Sequence, residues 1–274
     1  MKRSIWGIVL FIASQFVGVC LAYLVLVSKE LLKVCTSETG AQLDPSVFTS
    51  SESTIYITVL GLFLSEILLF FLLWGIKYFK PSELVRMPDV KILLTAMLLI
   101  ICATLSFSFI NNALDLPNTL EDIFDQMVKS PVGIFSIVVS GPIIEEIVFR
   151  RIIINDCMKR FGKPWAAILI SAALFGIIHL NPAQMANAFL MGILFGWVYI
   201  RTGSMLPGII GHIINNGTSV LEMKFAENGS FLDTEVKFYQ EPKELLLFIA
   251  CLAVTVLLIV LLRRSTDKSC CTAE

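Results

Sequence analysis

Long apolar runs separated by short polar connections make up most of this 274-residue chain, and they limit what it can fold into. A helix needs about 20 apolar residues to cross the roughly 30 Å hydrocarbon core of a bilayer, because each residue advances it by about 1.5 Å. Runs close to this length occur near residues 5–27, 55–76, 91–110, 131–149, 164–180, 185–200, 204–221 and 244–262. The sequence therefore predicts an all-α, polytopic integral membrane bundle of about eight transmembrane helices.

The composition excludes other classes of protein. Hydrophobic residues make up 56% and charged residues 16% of the chain, which lies outside the range of water-soluble globular domains. The formal net charge is −1 and no basic patch with interleaved aromatic residues occurs, so we expect a lipid bilayer but no nucleic acid among its partners. The seven cysteines show no CxxC spacing, and we expect neither a disulfide framework nor a cysteine metal site.

The charges in successive connections alternate in sign, and cytoplasmic loops of membrane proteins are enriched in Lys and Arg. The basic flanks contain Lys2, Arg3, Lys77, Lys80, Arg86, Lys91, Arg150, Arg151, Lys159, Arg160, Lys163, Arg201, Arg263, Arg264 and Lys268. The acidic connections contain Glu38, Asp44, Glu52, Asp115, Glu121, Asp122, Asp125, Glu227, Asp233, Glu235 and Glu241. This alternation predicts that both termini are cytoplasmic, and the short loops fit a bacterial plasma membrane.

The domain organisation is expected to be simple. The longest polar stretches, 28–54 and 111–130, are short enough to be loops, so we expect one integral membrane domain over residues 1–274. Within the second stretch, Thr119 precedes two acidic residues and an apolar pattern of helical spacing. This pattern predicts a short helix within residues 116–124, capped by Thr119, on the membrane surface or at the end of the bundle.

The two histidines of the chain, His179 and His212, both lie in apolar stretches, where an ionisable residue marks a functional site by default. A turn is predicted at Gly162, because glycine often ends a helix and Pro164 can begin the next one. Glu145 lies 17 residues before Gly162, and His179 lies 17 residues after it. In an antiparallel hairpin of helices the two side chains therefore come level with each other.

The acidic pair before this turn is expected to divide into two roles. Glu146 and Arg150 are spaced i, i+4 with the glutamate first, which favours an ion pair on one helix face. Glu145 then projects in another direction, toward His179. Since a carboxylate in an apolar cleft is suited to be a general base, we expect Glu145, helped by His179, to activate a water molecule.

A second polar pair lies on the seventh predicted helix. His212 and Asn216 are also spaced i, i+4, so their side chains share one face. Two hydrogen-bond donors on one face can stabilise the oxyanion that forms when water attacks an acyl carbon. We expect this role for His212 and Asn216, and we expect Phe175, one turn before His179, to line the substrate cleft.

Three motifs in this order resemble the CAAX protease and bacteriocin-processing family, also called the abortive infection family, of intramembrane glutamate endopeptidases. The motifs are Glu145-Glu146-x-x-x-Arg150, Phe175-x-x-x-His179 and His212-x-x-x-Asn216. The resemblance covers about residues 130–220 and implies a catalytic core there. It implies that the first Glu and first His activate water, that the second His and the Asn stabilise the oxyanion, and that the second Glu and the Arg support them.

The sequence leaves the substrate and two other functions open. A prenylated protein tail, a pheromone or bacteriocin precursor, and a partner membrane protein are all compatible substrates. We expect no metal or organic cofactor, although two His and two Glu could ligate zinc in a membrane metalloprotease that lacks the His-Glu-x-x-His motif. A non-catalytic transport or immunity protein is the third hypothesis, since intramembrane Glu and His also form proton relays. Glu66, alone in the second run, is expected to be structural.

Overall fold

A computed structural model describes residues 2–37, 44–227 and 242–271, in which the chain forms nine helices, two short 3₁₀ turns and no strand. The helices are α1 (Lys2–Thr36), α2 (Ser51–Gly75), α3 (Val90–Leu114), α4 (Glu121–Met127), α5 (Pro131–Phe161), α6 (Pro164–Ile177), α7 (Pro182–Thr202), α8 (Leu206–Glu227) and α9 (Pro242–Cys271). Of the acidic residues used to predict topology, Glu38, Asp233, Glu235 and Glu241 lie outside the described residues.

Six of these helices, α1, α2, α3, α5, α7 and α9, are long and apolar enough to cross a membrane by length and composition. Each of the eight predicted runs contains a helix, and the predicted polytopic all-α membrane fold is confirmed. Helix α6 is apolar but has only 14 residues, which gives it a length of about 21 Å. Helix α8 is continuous over 22 residues, but its apolar sequence is interrupted by the polar residues His212, Asn215 and Asn216.

Helix α5 runs from Pro131 to Phe161, and it contains two π-helical segments, Ser136–Ser140 and Glu146–Ile154. The prediction that this span ends near residue 149 and that Arg150 lies in a connecting loop is wrong. Arg150 is fully buried within the helix and pairs with Glu146, so its charge is compensated without reaching solvent. Because π-helical segments are rare and often lie at functional sites, the two in α5 favour a functional role for this helix.

The turn between α5 and α6 confirms the predicted hairpin. Gly162 is in the left-handed conformation, with φ of 62°, and its backbone N–H donates to the carbonyl of Met158 at 2.9 Å. Pro164 occupies the first turn of α6, where its missing N–H removes no helical hydrogen bond. The glycine ends one helix and the proline begins the next, as their backbone preferences predict.

The short helix predicted within residues 116–124 exists, but its start differs from the prediction. Helix α4 begins at Glu121, and its N-cap residue, Leu120, makes no side-chain cap. Thr119 is not the cap, because its backbone N–H and its hydroxyl both donate to Asn181 Oδ1, at 3.0 and 3.4 Å. A contact with a residue distant in sequence therefore replaces the local contact that the pattern indicated.

The connection between α2 and α3 is tied to α5 by an ion pair. Arg151 Nε and Nη2 donate to Glu83 Oε2 and Oε1, both at 2.9 Å. These hydrogen bonds from Arg151 hold the pKa of the Glu83 carboxyl below its ordinary value. The α2–α3 connection is thereby anchored against the second π-helical segment of α5.

The interior contains two apolar clusters. The first packs α2, α5 and α6 together through Leu69, Leu73, Ile147, Val148, Phe149, Ile153 and Phe175. The second packs α3, α7 and α9 together through Leu99, Ile100, Phe195, Val198, Leu258 and Leu262. The ring of His212 lies beside Phe175 of the first cluster and Phe195 of the second, with centroids 5.7 and 5.2 Å apart. The polar residues of α8 therefore enter the fold where the two clusters meet.

Candidate active site

The predicted ion pair of α5 forms in the interior of the protein. Arg150 Nε lies 3.1 Å from Glu146 Oε2, and the two side chains are 0% and 1% exposed. The guanidinium also lies over the rings of Phe175 and Phe195, at 5.0 and 5.7 Å from their centroids, and Nη1 donates to Ser171 Oγ at 3.4 Å. These contacts offset part of the free-energy cost of burying the pair, which is several kcal/mol for each isolated ion.

His212 lies between the two glutamates of the first motif. Its Nε2 is 3.5 Å from Glu145 Oε2, and its Nδ1 is 3.5 Å from Glu146 Oε1. Glu145 is 19% exposed, whereas Glu146 is almost completely buried. The first and third sequence motifs, which lie more than 60 residues apart, thus meet at one imidazole ring.

Several polar atoms of this cluster have no hydrogen-bond partner within the described part of the protein. They are Glu146 Oε1 and Oε2, Arg150 Nε and Nη2, and His212 Nδ1. The contacts among them are short enough for ion pairing but lie outside hydrogen-bond geometry. Because buried polar groups are normally paired, a cluster of such atoms is a candidate for a site that binds water or a substrate.

His179 lies just beyond the end of α6, and its ring orientation is well defined. Its Nδ1 is 2.7 Å from the backbone carbonyl oxygen of Phe175. Since a carbonyl oxygen can only accept, Nδ1 must carry the proton, and Nε2 of the neutral ring keeps its lone pair. The side chain of Phe175 stacks edge-on against both histidine rings, with centroids 5.0 Å from His179 and 5.7 Å from His212. Phe175 is therefore the apolar wall shared by the two histidines.

The hairpin of α5 and α6 predicted that Glu145 faces His179, but the histidine beside Glu145 in the structure is His212. Glu145 lies within ion-pair distance of His212, whereas among the described residues it makes neither a hydrogen bond nor an ion pair with His179. Both histidines nevertheless adjoin Phe175, so the second motif joins the other two at the same place.

Asn216 is tied to the first π-helical segment of α5. Its Nδ2 donates to the backbone carbonyl of Ile137 at 2.9 Å, and its Oδ1 accepts from Asn215 Nδ2 at 3.0 Å. One of its two amide hydrogens is therefore used within the protein, and the other can bind a ligand. The carbonyl that holds Asn216 belongs to the first π-helical segment of α5. Helix α8 therefore contacts α5 at two places, through Asn216 here and through His212 at the two glutamates.

Two buried polar residues near this cluster were not predicted to take part in it. Ser171 on α6 donates to the carbonyl of Phe149 at 2.9 Å and accepts from Arg150, so it couples α6 to the ion pair. Glu66 on α2 is 4% exposed and accepts a hydrogen bond from Ser140 Oγ at 2.5 Å. Each is a polar residue in an otherwise apolar helix, and this pattern was the sequence feature that could have indicated a buried role. The spacing did not show which neighbouring helix each side chain would face.

The described residues contain no group of three His, Cys, Asp or Glu side chains arranged to hold a metal ion. His212 directs its two ring nitrogens at two different carboxylates, whereas a zinc site brings its ligands to within about 2.0–2.2 Å of one ion. The donors and acceptors present are of the kinds that an acid–base site with adjacent hydrogen-bond donors uses.

Gly208 on α8 gives a direct test of how closely this cluster is packed. A Cβ added at Gly208 would lie 2.7 Å from Glu146 Oε2, too close for the buried carboxylate to stay in place. We expect Gly208→Ala to lower the free energy of unfolding by about 1–3 kcal/mol, as overpacking does in other cores. Thermal unfolding in detergent measures this change. Gly75→Ala is the control, since nothing lies within 4 Å of its added Cβ, and equal stability losses in both variants would contradict the packing of Glu146 against α8.

Comparisons with known proteins match the segment of the chain that contains this cluster. Residues 127–218 match the family described as type II CAAX prenyl endopeptidase, Rce1-like. The chain is 31% identical over 115 residues to YdiL, a candidate membrane peptidase of Bacillus subtilis. This aligned segment covers 42% of this chain and 46% of the relative. It is also 31% identical over 110 residues to the membrane-embedded CAAX protease MroQ of Staphylococcus aureus, covering 38% of this chain and 44% of that protein. No solved structure matches the chain.

The matches cover part of each relative, but they include the segment that contains all three motifs. They span less than half the length of the curated relatives. All seven residues of the three motifs lie within the matched segment 127–218. The resemblance to CAAX proteases that the motifs indicated is therefore confirmed for this segment.

Proposed function

Because residues 127–218 match the Rce1-like CAAX prenyl endopeptidase family, we propose that this chain is an intramembrane endopeptidase that hydrolyses a peptide bond of a membrane-associated peptide or protein. One observation carries the proposal: His212 of α8 lies 3.5 Å from both Glu145 and Glu146 of α5, and Phe175 of α6 adjoins His212 and His179. Three helices thus bring an acid, two histidines and an amide to one place in an apolar environment.

The reaction begins with activation of water. Glu145 is partly exposed and takes a proton from a water molecule, while His179 Nε2, whose lone pair is free because Nδ1 donates to Phe175, accepts the second hydrogen of that water as a hydrogen bond. The resulting hydroxide attacks the carbonyl carbon of the scissile peptide bond. The electron pair of the carbonyl moves to its oxygen, which becomes the oxyanion of a tetrahedral intermediate.

The intermediate then collapses to products. The oxyanion accepts a hydrogen bond from the Nε2–H of His212, the ring nitrogen on the side of Glu145, and another from the amide hydrogen of Asn216 that the Ile137 carbonyl does not use. Glu145, now protonated, gives its proton to the leaving nitrogen as the C–N bond breaks, and the acid and the amine are released. Glu146 and Arg150, both buried, hold His212 and the surrounding rings in position but do not touch the substrate.

The substrate proposal is a peptide or protein held at the membrane. Glu145 and His179 are partly exposed, while the supporting pair is not, so a chain that lies in or beside the bundle can reach the reacting groups. Prenylated protein tails and pheromone or bacteriocin precursors fit this description. The relative MroQ is named a CAAX protease, and that name describes MroQ.

Comparative membrane proteomics of cells that carry the wild-type chain or Glu145→Ala tests the proposal. We expect peptides with new termini in the wild-type membranes that are missing in the variant, together with an accumulated precursor in the variant. Equal amounts of the two proteins, measured by immunoblotting, control for expression. Identical peptide profiles at equal expression would overturn the assignment as a peptidase.

Metal removal separates the proposed chemistry from that of a zinc peptidase. We expect the activity to persist after chelation, since the groups assigned to catalysis are a general base and hydrogen-bond donors. Asn216→Ala is expected to lower kcat by about 10²-fold with little effect on metal content, because it removes an oxyanion donor. The mechanism would be overturned if purified active protein contained stoichiometric zinc, if chelation removed both the zinc and the activity, and if adding zinc back restored the activity.

We also propose that both termini are cytoplasmic, as the basic connections indicate. Cysteines introduced singly at Asp122 and Lys159, both exposed, test this in a cysteine-free background. An impermeant thiol reagent added to intact cells is expected to label the cysteine at 122, and the cysteine at 159 only after lysis. The reverse pattern would show the opposite orientation.

A further inference from the structure

The connection between α6 and α7 holds a buried amide that the proposed chemistry does not use. Asn181 is 0% exposed. Its Oδ1 accepts from the backbone N–H of Thr119 at 3.0 Å, and its Nδ2 donates to Asn118 Oδ1 at 2.8 Å. The backbone N–H of Ala183 donates to the carbonyl of Pro117 at 3.4 Å. The α6–α7 connection is thereby fastened to the loop that precedes α4.

Leu180 shows that this connection is held in place by its neighbours. Its φ of 52° puts it in the left-handed region, although it is neither glycine nor asparagine, and its side chain is 78% exposed. This conformation costs a leucine about 1–2 kcal/mol. The exposed side chain makes little packing that could compensate, so the surrounding contacts must impose the conformation. Two sets of contacts are in a position to do so: the hydrogen bond from the backbone N–H of Leu180 to the carbonyl of Ile177, at 3.2 Å, and the buried hydrogen bonds of Asn181, the next residue.

His179 directly precedes Leu180 and depends on the same connection. Helix α6 ends at Ile177, and within the described part of the chain the one backbone hydrogen bond of His179 is turn-like, from its N–H to the carbonyl of Gly176 at 3.2 Å. Its ring is held by the 2.7 Å hydrogen bond to the Phe175 carbonyl. A change in the path of residues 179–181 would rotate the ring away from that carbonyl.

We propose that Asn181 is a positioning residue for His179. By fastening the α6–α7 connection to residues 117–119, it holds the imidazole in the tautomer with the proton on Nδ1 and leaves Nε2 as the acceptor. The effect on turnover depends on the proposed function, but the effect on the histidine does not. A loss of the ring geometry can therefore be measured whether or not the chain proves to be a peptidase.

The two histidines of the chain make this measurable by NMR. In protein labelled with ¹⁵N-histidine and reconstituted in lipid nanodiscs, His212→Gln assigns the signals, since only His179 then contributes. We expect the wild-type His179 signals to show a protonated Nδ1 and an unprotonated Nε2. In Asn181→Ala, the His179 signals should shift toward an average of both tautomers, while those of His212 stay in place.

Three further measurements make the result decisive. Leu180→Gly is the matched control, because it keeps every hydrogen bond of Asn181 and should leave the His179 signals unchanged. Asn181→Asp keeps the acceptor for Thr119 but loses the donor to Asn118, so its His179 signals should lie between those of the wild type and those of Asn181→Ala. Together with Asn118→Ala, it also tests the proposal if Asn181→Ala does not fold. On a cleaved peptide, Asn181→Ala should lower kcat by about 10- to 100-fold with KM unchanged, as misplacement of a catalytic group does. Wild-type His179 signals in folded Asn181→Ala and Asn118→Ala protein would overturn the proposal.

Discussion

Glu145→Gln is expected to lower kcat by about 10²- to 10⁴-fold, the contribution of a general base, while the protein remains folded in the membrane. The amide has nearly the same shape as the carboxyl group but cannot take a proton from water. It also keeps an oxygen that can lie near His212 Nε2, which is 3.5 Å from Glu145 in the wild-type site. Steady-state cleavage of a peptide identified by the membrane proteomics measures kcat, and thermal unfolding in the same detergent reports the fold.

Glu222→Gln is the matched control for this substitution. Glu222 lies on α8, the helix of His212, but is exposed and ten residues further along. The same change of charge there should leave kcat within about twofold, because it lies roughly 15 Å from His212 along the helix axis. Wild-type turnover by folded Glu145→Gln protein would rule out Glu145 as the base.

Arg150→Met is expected to lower the free energy of unfolding by about 3–5 kcal/mol, which makes it the largest stability change predicted for a single side chain here. Methionine fills much of the volume that lies against Phe175 and Phe195, but it leaves the fully buried Glu146 carboxylate without its cation. Reversible unfolding by denaturant in mixed micelles measures the change. Arg160→Met, on the same helix but exposed, is expected to change stability by less than about 0.5 kcal/mol.

A double variant distinguishes an ion pair from simple packing. If the cost of Arg150→Met comes from the uncompensated carboxylate, adding Glu146→Gln removes that charge, and the double variant should be more stable than the sum of the single changes predicts. Additive changes would mean that the two side chains do not interact across the 3.1 Å that separates them. That result would contradict the supporting role assigned to the pair.

Features encoded by neighbouring residues could be predicted from the sequence. The apolar runs determine the membrane helices because a bilayer leaves few other ways to satisfy the backbone. The Gly162–Lys163–Pro164 turn could be predicted because glycine and proline act through their own φ angles. The i, i+4 pair of Glu146 and Arg150 could also be predicted, because the repeat of a single helix brings both side chains to the same face. The three motifs indicated a resemblance to the family, and the match over residues 127–218 confirms that resemblance for this segment.

Only the tertiary structure decided how these local pieces meet. The end of the apolar run near residue 149 put Arg150 in a connection, yet the packing of α5 against α6 and α7 buries it, with its guanidinium over two phenylalanine rings. Spacing directed Glu145 at His179, whereas the approach of α8 brings His212 into contact with both glutamates. The pattern made Thr119 a helix cap, but Asn181, 62 residues away, takes its hydrogen bonds. The physical reason is the same in each case: a dihedral angle or a helical repeat is set by adjacent residues, whereas the partner of a buried polar atom depends on which helix packs against it.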